Sequence, residues 1–372
     1  MNSPLPEIAT DVLVERCGAL GCITLNRPRA LNALSLPMIR VLTATLRQWA
    51  DDPAVRAVAI RGSNKHGPFG AFCAGGDIRF FHEAALSGDP QLEDFFTEEY
   101  ALNHLIHRYA KPYIAFMDGV VMGGGMGISQ GAAWRLVTTR TRMAMPETNI
   151  GLFPDVGGGY FLSRCPGHAG EWLALTGATL GAADALRLGL ADHCVDAERL
   201  DAAWAALASL AAYDQPTLAA WVAMFSVAPP ADAAGAAVEI DQYFGHATVS
   251  HIIAALEAST DAWTRASATQ LRQRSPLMLH VVLEQIRRGR SLGLADDLRM
   301  ERDLVRHCFA PRNLGRNAAQ SETVEGIRAL AVDKDNAPRW NPPRIEDVTP
   351  DMVTPFFVSP WHAEAHPLRA LD

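Results

Sequence analysis

Residues 122–160 read MGGGMGISQGAAWRLVTTRTRMAMPETNIGLFPDVGGGY, and the interpretation of the whole chain starts from this stretch. Its three successive glycines, residues 123–125, follow a largely apolar run, residues 113–122, that is typical of a strand, and they precede GISQGAAW, which predicts the start of a helix. Backbone N–H groups at a helix start have no partner inside the helix and lie at the positive end of its dipole. The turn is therefore predicted to offer N–H donors to an anionic oxygen.

A second turn of the same kind lies upstream. The segment FCAGGDI, residues 72–78, follows another strand-like run, residues 55–61, and it too is rich in small residues. Two such turns could supply two N–H donors to one oxyanion. Glycine clusters also mark tight turns and close packing, so a purely structural role of these glycines stays open beside the functional one.

Two acidic residues follow the first turn, eight positions apart and each beside a proline. Glu147 stands after Met145 and Pro146, and Asp155 stands after Pro154 at the end of an apolar IGLF stretch. Neighbours of this kind predict a poorly hydrated environment, and loss of hydration raises the pKa of a carboxyl group toward the range useful for proton transfer. The two residues are therefore candidate catalytic acids or bases.

These segments resemble the crotonase, or enoyl-CoA hydratase/isomerase, superfamily, and within it the branch of 3-hydroxyisobutyryl-CoA hydrolases. The resemblance covers nearly the whole chain and is carried by six segments: LNRPRALNAL (25–34), AFCAGGDI (71–78), EEYALN (98–103), KPYIAFMDGVVMGGGMG (111–127), AMPETNIGLFPDVGGGYFL (144–162) and VDKDNAPRWNP (332–342). It implies an α/β fold, a crotonase-like spiral of β-β-α units with a helical C-terminal region. The implied domains are a core at residues 10–213, which holds the CoA and acyl site, and a helical region at residues 237–372 that covers the cleft.

The resemblance also implies a role for individual residues. The backbone N–H groups of Gly76 and Gly124 would form the oxyanion hole for a thioester carbonyl, with Glu147 as the principal catalytic carboxylate and Asp155 as the second. Glu99 would line the acyl pocket and accept a hydrogen bond from a substrate hydroxyl. Further substrate contacts are expected at four positions: Arg29, Ala74, Asp77 and Lys334. For the two cations among them, which would meet CoA phosphates, solvated surface charges are the open alternative.

One departure from the family pattern separates its branches. Similar hydratases carry a second catalytic glutamate three residues past the central glycine of the GGG turn, where this chain has Gly127. Adding water across a C=C bond needs two groups that handle protons, whereas thioester hydrolysis needs an oxyanion hole and one well-placed carboxylate with an assisting acid. We therefore expect hydrolysis of a short branched 3-hydroxyacyl-CoA, in valine breakdown by family analogy. An enoyl-CoA hydratase or isomerase that uses Glu147 alone and a non-catalytic CoA-binding protein are the alternatives.

Composition limits the class of partner. The 372 residues are 49% hydrophobic and 20% charged, which is enough for a large core, and the net charge of -8 disfavours nucleic acid as a general partner. No apolar run is long enough for a membrane span, and the acidic N-terminal residues differ from a basic targeting peptide, so the cytoplasm is expected.

Metal and cofactor sites are not expected. The six cysteines form no C-x-x-C pair, and the histidines show no metal-binding spacing. The expected partner is an acyl-CoA substrate, with no separate cofactor because CoA belongs to the substrate. The resemblance also allows a homo-oligomer.

Periodicity predicts the order β, β, α, β at the start of the core. The predicted strands are 12–16, 21–25, 55–61, 113–118 and 135–139, and the predicted helices are 37–49, 80–110 and 125–134. Residues 168–213 and 237–330 are predicted to be mainly helical, with a boundary in the proline-containing stretch 214–236.

Overall fold

A computed structural model describes residues 11–230 and 237–372 of the chain. The first part of the acidic N-terminal segment, residues 1–10, lies outside the described residues. The last part of the predicted boundary stretch 214–236 lies outside them as well. No helix in the described ranges is long and apolar enough to cross a membrane.

The strands form one large sheet and one small one. Their bounds are β1 Val12–Cys17, β2 Leu20–Leu25, β3 Ala57–Asn64, β4 Gly67–Pro68, β5 Tyr113–Met117, β6 Val120–Met122, β7 Trp134–Val137, β8 Arg142–Ala144 and β9 His193–Cys194. The seven-stranded sheet has the order β1-β2-β3-β5-β7-β9, with β4 paired to β3. Strands β1 and β2 are antiparallel, the pairs from β2 through β9 are parallel, and β6 and β8 form a separate parallel pair.

Helices account for most of the remaining chain. Their bounds are α1 Leu36–Asp51, α2 Ile78–Ser87, α3 Gln91–His107, α4 Gly124–Gln130, α5 Gly158–Leu162, α6 Ala169–Thr176, α7 Ala182–Arg187, α8 Leu200–Ala208, α9 Gln215–Ala223, α10 Ala237–Phe244, α11 Val249–Ala258, α12 Ala262–Arg272, α13 Pro276–Gly289, α14 Leu294–Phe309, α15 Glu322–Ile327 and α16 Pro350–Val353. Parallel strands and helices together confirm the predicted α/β class, and the helical C-terminal region is confirmed as well.

Two predicted helices have different bounds in the structure. The stretch 80–110 contains two helices, because Gly88 ends α2 in the left-handed conformation at φ 70° and Pro90 follows two residues later. The helix predicted at 125–134 ends at Gln130. Gly131 lies so close to the backbone of α3 that a Cβ there would stand 2.8 Å from the Cα of His107, and the chain then turns into β7.

Contacts within the chain define two compact units, each assembled from three separate segments. The first comprises residues 1–76, 102–144 and 179–234, and it contains both sheets. The second comprises residues 77–101, 145–178 and 235–372, and its regular elements in the described ranges are helices. The contiguous division into 10–213 and 237–372 stays a prediction.

The first unit is built around one face of the large sheet. Register aligns alternate side chains across the strands, so that Cys22 stands beside Ala59, Ala59 beside Ile114, and Ile114 beside Trp134. These residues belong to one buried cluster with residues of α8 and α9, among them Trp221. The residues between them are also buried in the central strands, as expected for a parallel sheet covered on both faces.

Gly62 in β3 links this sheet to the turn at residues 72–78. A Cβ at Gly62 would stand 2.0 Å from the carbonyl oxygen of Ala71 and 2.4 Å from that of Phe72, so the two backbones touch. Only glycine permits this approach, and the sheet thereby fixes the start of the AFCAGGDI segment.

We predict that Gly62→Ala lowers the free energy of unfolding by about 2–4 kcal/mol, because a methyl group cannot be accommodated between two backbones. Urea unfolding measures this. The matched control is Gly293→Ala, where φ is -73° and no atom lies within 4 Å of the added methyl, and the cost there should not exceed about 1 kcal/mol as a weaker helix N-cap. Equal losses in the two variants would contradict the prediction.

Candidate active site

The two glycine turns of the first unit meet through backbone contacts. The N–H of Cys73 donates to the carbonyl oxygen of Val120 at 2.9 Å, and the N–H of Met122 donates to the carbonyl oxygen of Cys73 at 2.9 Å. A Cβ at Gly125 would stand 2.4 Å from the carbonyl oxygen of Cys73, so this glycine is required by close packing. The sequence predicted two separate donor turns, and the structure places them side by side.

The N–H groups of the two candidate donors take no part in the backbone hydrogen bonds described next for their own turns. Gly124 is the first residue of α4, so its N–H has no partner inside the helix. Gly76 stands in a β-bridge with Leu34, in which the Leu34 N–H donates to the carbonyl oxygen of Gly75 at 2.7 Å and does not use the Gly76 amide. The two turns approach each other at these residues, as shown by the 3.7 Å that would separate a Cβ on Gly75 from the nitrogen of Gly124.

Gly127 lies inside α4 and is buried. It leaves this position of the helix without a side chain that could carry a proton. The helix that begins with the candidate donor Gly124 therefore has no carboxylate at position 127, as the sequence indicated.

The second unit holds the candidate catalytic carboxylates. Glu147 begins a short 3₁₀ helix, Glu147–Ile150, directly after Pro146, and it is 7% exposed. Its Oε2 atom has no hydrogen-bond partner within the described residues. Burial raises the pKa of Glu147 well above its usual value, and repulsion from Asp155 raises it further.

Asp155 is 6% exposed and is held by a tyrosine. The hydroxyl of Tyr100 in α3 donates to its Oδ2 at 2.9 Å. Burial raises the pKa of Asp155 from 3.8 to about 7, while the Tyr100 hydroxyl opposes part of this shift because it stabilises the ionised form. Sequence reasoning missed Tyr100. Its position next to Glu99 in EEYALN was the available signal.

Glu99 lies in the middle of α3 and is buried. It is 2% exposed, and its Oε1 atom has no hydrogen-bond partner among the residues that the structure describes. Burial first, then repulsion from Asp155 and Glu147, raises its pKa well above the usual value. The three carboxyl groups therefore lie within electrostatic reach of one another inside this unit.

The predicted substrate contacts fall into different environments. In the first unit, Ala74 is half-buried and its N–H donates to the carbonyl oxygen of Leu31 at 3.0 Å, whereas Arg29 is exposed. In the second unit, Asp77 caps α2 by accepting the N–H of Phe80 at 3.4 Å, and Lys334 is exposed with φ 59°. The two cations are thus accessible on their own units, while the side chain of Asp77 already has a structural partner.

One group of side chains has the atoms that a metal ion would need. Glu15, Cys17 and Cys22 bring a carboxylate oxygen and two sulfur atoms within 4.8 Å of one another on the hairpin of β1 and β2. The absence of a C-x-x-C pair hid this group from sequence analysis, because the hairpin joins residues five apart. Arg61 lies close enough to act on the pKa of Cys22, and its positive charge opposes the binding of a cation. That the protein binds no metal stays a prediction.

Comparison with known proteins identifies the family. Residues 20–357 match the model of the enoyl-CoA hydratase/isomerase family, so the chain belongs to that family. It is 38% identical over 361 residues to the mitochondrial 3-hydroxyisobutyryl-CoA hydrolase of Xenopus tropicalis, covering 94% of this chain and 89% of the relative. The hydrolase of the same name from Bos taurus is 37% identical over 359 residues, covering 95% and 90%.

Solved structures support the fold assignment. A protein from Mycobacterium thermoresistibile described as a carnitinyl-CoA dehydratase has a TM-score of 0.83 and 38% identity, covering 94% of this chain and 96% of the other. One from Rhodobacter sphaeroides described as an enoyl-CoA hydratase also has a TM-score of 0.83, with 37% identity, covering 94% and 98%. The crotonase-like fold predicted from the sequence is confirmed.

We predict that Asp155→Asn stabilises the protein at neutral pH. Because the folded-state pKa is raised from 3.8 to about 7, the neutral carboxyl group favours folding below pH 3.8, and this contribution is lost as the pH rises through about 7. Asparagine stays neutral throughout, so the variant should gain roughly 1–3 kcal/mol at pH 8 and little at pH 4. Urea unfolding at the two pH values measures this difference. The exposed Asp51→Asn serves as control, and a gain by Asp155→Asn that is the same at both pH values would refute the prediction.

Proposed function

We propose that the chain hydrolyses the thioester of a short 3-hydroxyacyl-CoA, with the branched 3-hydroxyisobutyryl-CoA as the first candidate and the unbranched 3-hydroxypropionyl-CoA as the second. The observation that carries the proposal is the pair of buried, mutually repelling carboxyl groups of Glu147 and Asp155, in a chain whose α4 has Gly127 in place of a second glutamate. The names of the similar hydrolases support it.

The pair supplies both an acid and a base. Two carboxyl groups that repel each other in a dry environment favour a state in which one is ionised and the other keeps its proton. The ionised group accepts a proton from water as the water oxygen attacks the thioester carbon. The negative charge that develops on the carbonyl oxygen is assigned to the N–H groups of Gly76 and Gly124. Collapse of this tetrahedral intermediate breaks the carbon–sulfur bond, and the protonated group delivers a proton to the CoA thiolate.

Glu147 has two chemically distinct roles open to it. Its carboxylate either activates water in this way or attacks the thioester carbon itself, giving a mixed anhydride that water then cleaves, with Asp155 orienting the water or moving the proton. After a single turnover in water enriched in oxygen-18, label in the side chain of Glu147 identifies the anhydride route with attack of water on the Glu147 carboxyl carbon, since the water route forms no bond to that side chain.

A hydratase or isomerase that uses Glu147 alone is the second candidate. The observation that favours it is the description of the similar proteins from Mycobacterium thermoresistibile and Rhodobacter sphaeroides as a dehydratase and a hydratase. Against it stands Gly127, because hydration of a C=C bond requires a second group for proton transfer. A non-catalytic CoA-binding protein is the third candidate, and the buried pair of carboxyl groups argues against it.

The residues that contact the remaining parts of the substrate are assigned from their charge and position. Arg29 and Lys334 are proposed to contact the phosphates of CoA, Ala74 and Asp77 the acyl-CoA chain, and Glu99 the hydroxyl of the acyl group. We propose that no cofactor is needed besides the CoA of the substrate. A cytoplasmic location and a role in valine breakdown belong to the same proposal, while the relatives named above carry the word mitochondrial in their names.

We predict that Glu147→Gln lowers thioester cleavage by about 100 to 10,000-fold, since glutamine can neither accept a proton nor act as nucleophile. Release of free thiol from 3-hydroxyisobutyryl-CoA measures hydrolysis, and loss of enoyl absorbance from crotonyl-CoA measures hydration. Thiol release without enoyl loss in the wild type supports the hydrolase, and the reverse supports the hydratase. The half-buried Glu284→Gln on α13, a residue that pairs with Arg288, is the control, and near-wild-type cleavage by Glu147→Gln would rule out the mechanism.

We predict that the enzyme prefers the 3-hydroxyacyl substrate over its deoxy analogue, isobutyryl-CoA, by about 10 to 100-fold in kcat/KM. Without the hydroxyl, the buried acceptor Glu99 would be left unpaired. Glu99→Leu should remove most of this preference, whereas Glu98→Gln at the adjacent, half-buried position should keep it. Equal kcat/KM for the two substrates with the wild-type enzyme would remove the role of Glu99.

A further inference from the structure

The loop that carries Asp155 has an unusual backbone. Val156 adopts φ 57° and Gly157 adopts φ 88°, so two consecutive residues lie in the left-handed region. This conformation is unfavourable for a β-branched residue such as valine and persists only where surrounding contacts hold it. The question is which contacts hold this loop next to a candidate catalytic carboxyl group.

A buried glutamate of α14 binds the loop directly. The Oε2 atom of Glu301 accepts the N–H of Gly157 at 2.7 Å, and its Oε1 atom accepts the N–H of Gly159 at 2.9 Å. These amides lie at the start of α5, where backbone N–H groups have no partner inside the helix. One turn earlier on α14, Asp297 accepts the N–H of Tyr160 at 2.9 Å. Two carboxyl groups of one helix thus satisfy the free donors of another.

The glycines of the PDVGGG segment make this contact sterically possible. A Cβ on Gly159 would stand 2.4 Å from Oδ1 of Asp297, and a Cβ on Gly158 would stand 3.0 Å from Cβ of Pro154. Glycine at position 157 also tolerates its positive φ. The loop could not reach α14 in this way with larger residues.

Two further contacts hold Asp155 from other sides. The Nε2 of Gln285 in α13 donates to the carbonyl oxygen of Pro154 at 2.6 Å and to Oε1 of Glu301 at 3.2 Å. The hydroxyl of Tyr100 in α3 donates to the carboxylate itself at 2.9 Å. The carboxylate, the peptide before it and the amides after it are therefore each bound by a different buried side chain.

We infer that Tyr100 and Glu301 are positioning residues for Asp155: Tyr100 orients its carboxylate and keeps it ionisable, and Glu301 holds the left-handed loop that aims it. Their kinetic effect rests on the proposed hydrolase function, whereas their effect on Asp155 itself does not. Neither residue is assigned a contact with substrate.

Several ionisable groups surround Asp155 and feel its charge. They are Glu99 and Tyr100 of α3, Glu147 of the 3₁₀ helix, and Glu301 and Cys308 of α14. Burial raises the pKa of each, and the charge of Asp155 raises it further. The Tyr100 hydroxyl is the side-chain contact that lowers the pKa of Asp155.

The first test is Tyr100→Phe, which removes the hydroxyl and keeps the buried ring. Loss of a hydrogen bond to the ionised form should raise the pKa of Asp155, moving the limb of the kcat profile that reports Asp155 up by about one pH unit. At neutral pH kcat should fall about 10-fold with KM within about twofold of wild type, because the residue acts on the chemistry and does not bind substrate. Tyr213→Phe is the matched control, since that buried hydroxyl donates to the carbonyl oxygen of Leu207 at 3.1 Å.

A second measurement needs no substrate. Titration of the ¹³Cγ signal of Asp155, assigned by its loss in Asp155→Asn, should show the same upward shift in Tyr100→Phe and no shift in Tyr213→Phe. If the wild type cleaves no thioester, the proposed function fails and this titration still decides the role of Tyr100. An unshifted Asp155 signal, or a kcat profile equal to wild type, overturns that role.

The second variant is Glu301→Gln, which has one acceptor oxygen in place of two and cannot satisfy both amides. Hydrogen exchange of the peptide covering residues 155–160 should become at least about 10-fold faster, and kcat should fall with KM retained. Glu171→Gln is the control, because Glu171 of α6 is also buried but pairs with Arg290 at 2.6 Å. Unchanged exchange together with unchanged kcat overturns the role of Glu301.

Discussion

The proposed chemistry depends on carboxyl groups that the fold buries in the interior of one unit. Burial raises the pKa of Glu99, Glu147, Asp155 and Glu301 alike, and for each of them this is the largest cause. Such groups destabilise the folded chain whenever they ionise, so each must be neutral or be held by donors. Glu301 and Asp155 have such donors, whereas one oxygen each of Glu99 and Glu147 has none among the described residues. The unsatisfied oxygens thus belong to the two residues assigned to water and to the substrate hydroxyl.

Much of the fold could be predicted because local and global signals agree in it. The strands β2 and β3 and the helix α1 were indicated by periodicity, since the strands lie inside the sheet and the helix buries one face. Strand β1 was indicated as well, although Val12 is its one buried residue. The failures occurred where a glycine acts through a distant contact. Helix α4 ends at Gln130, and the Gly131 that follows packs on the backbone of His107, a contact that no local pattern contains. The division of the chain into two interleaved units was also invisible to a linear search for boundaries.

The candidate site shows the same limit. The two glycine turns and the two acidic residues were found from spacing and neighbours, and family resemblance added Glu99, which a local interpretation would have left on the surface. Tyr100 was missed although it stands beside Glu99 in EEYALN, and Glu301 was missed because nothing in its immediate sequence marks it. In LADDLRMERDL, residues 294–304, the acidic side chains resemble an exposed helix face. Asp297 and Glu301 are instead buried, and they accept backbone N–H groups of a loop more than 130 positions earlier.

The interleaved path of the chain has a consequence for biosynthesis. Strand β9, which completes the large sheet, lies at residues 193–194, and the second unit receives its last segment only from residue 235 onward. Neither unit is therefore an uninterrupted piece that could be expressed alone, and the second unit cannot finish folding until its last segment has been translated. Contacts between residues so distant in sequence close slowly, so a nascent chain would expose unfinished apolar surface for a long time. A truncated product of this gene would consequently be a substrate for chaperones and proteases rather than a smaller enzyme.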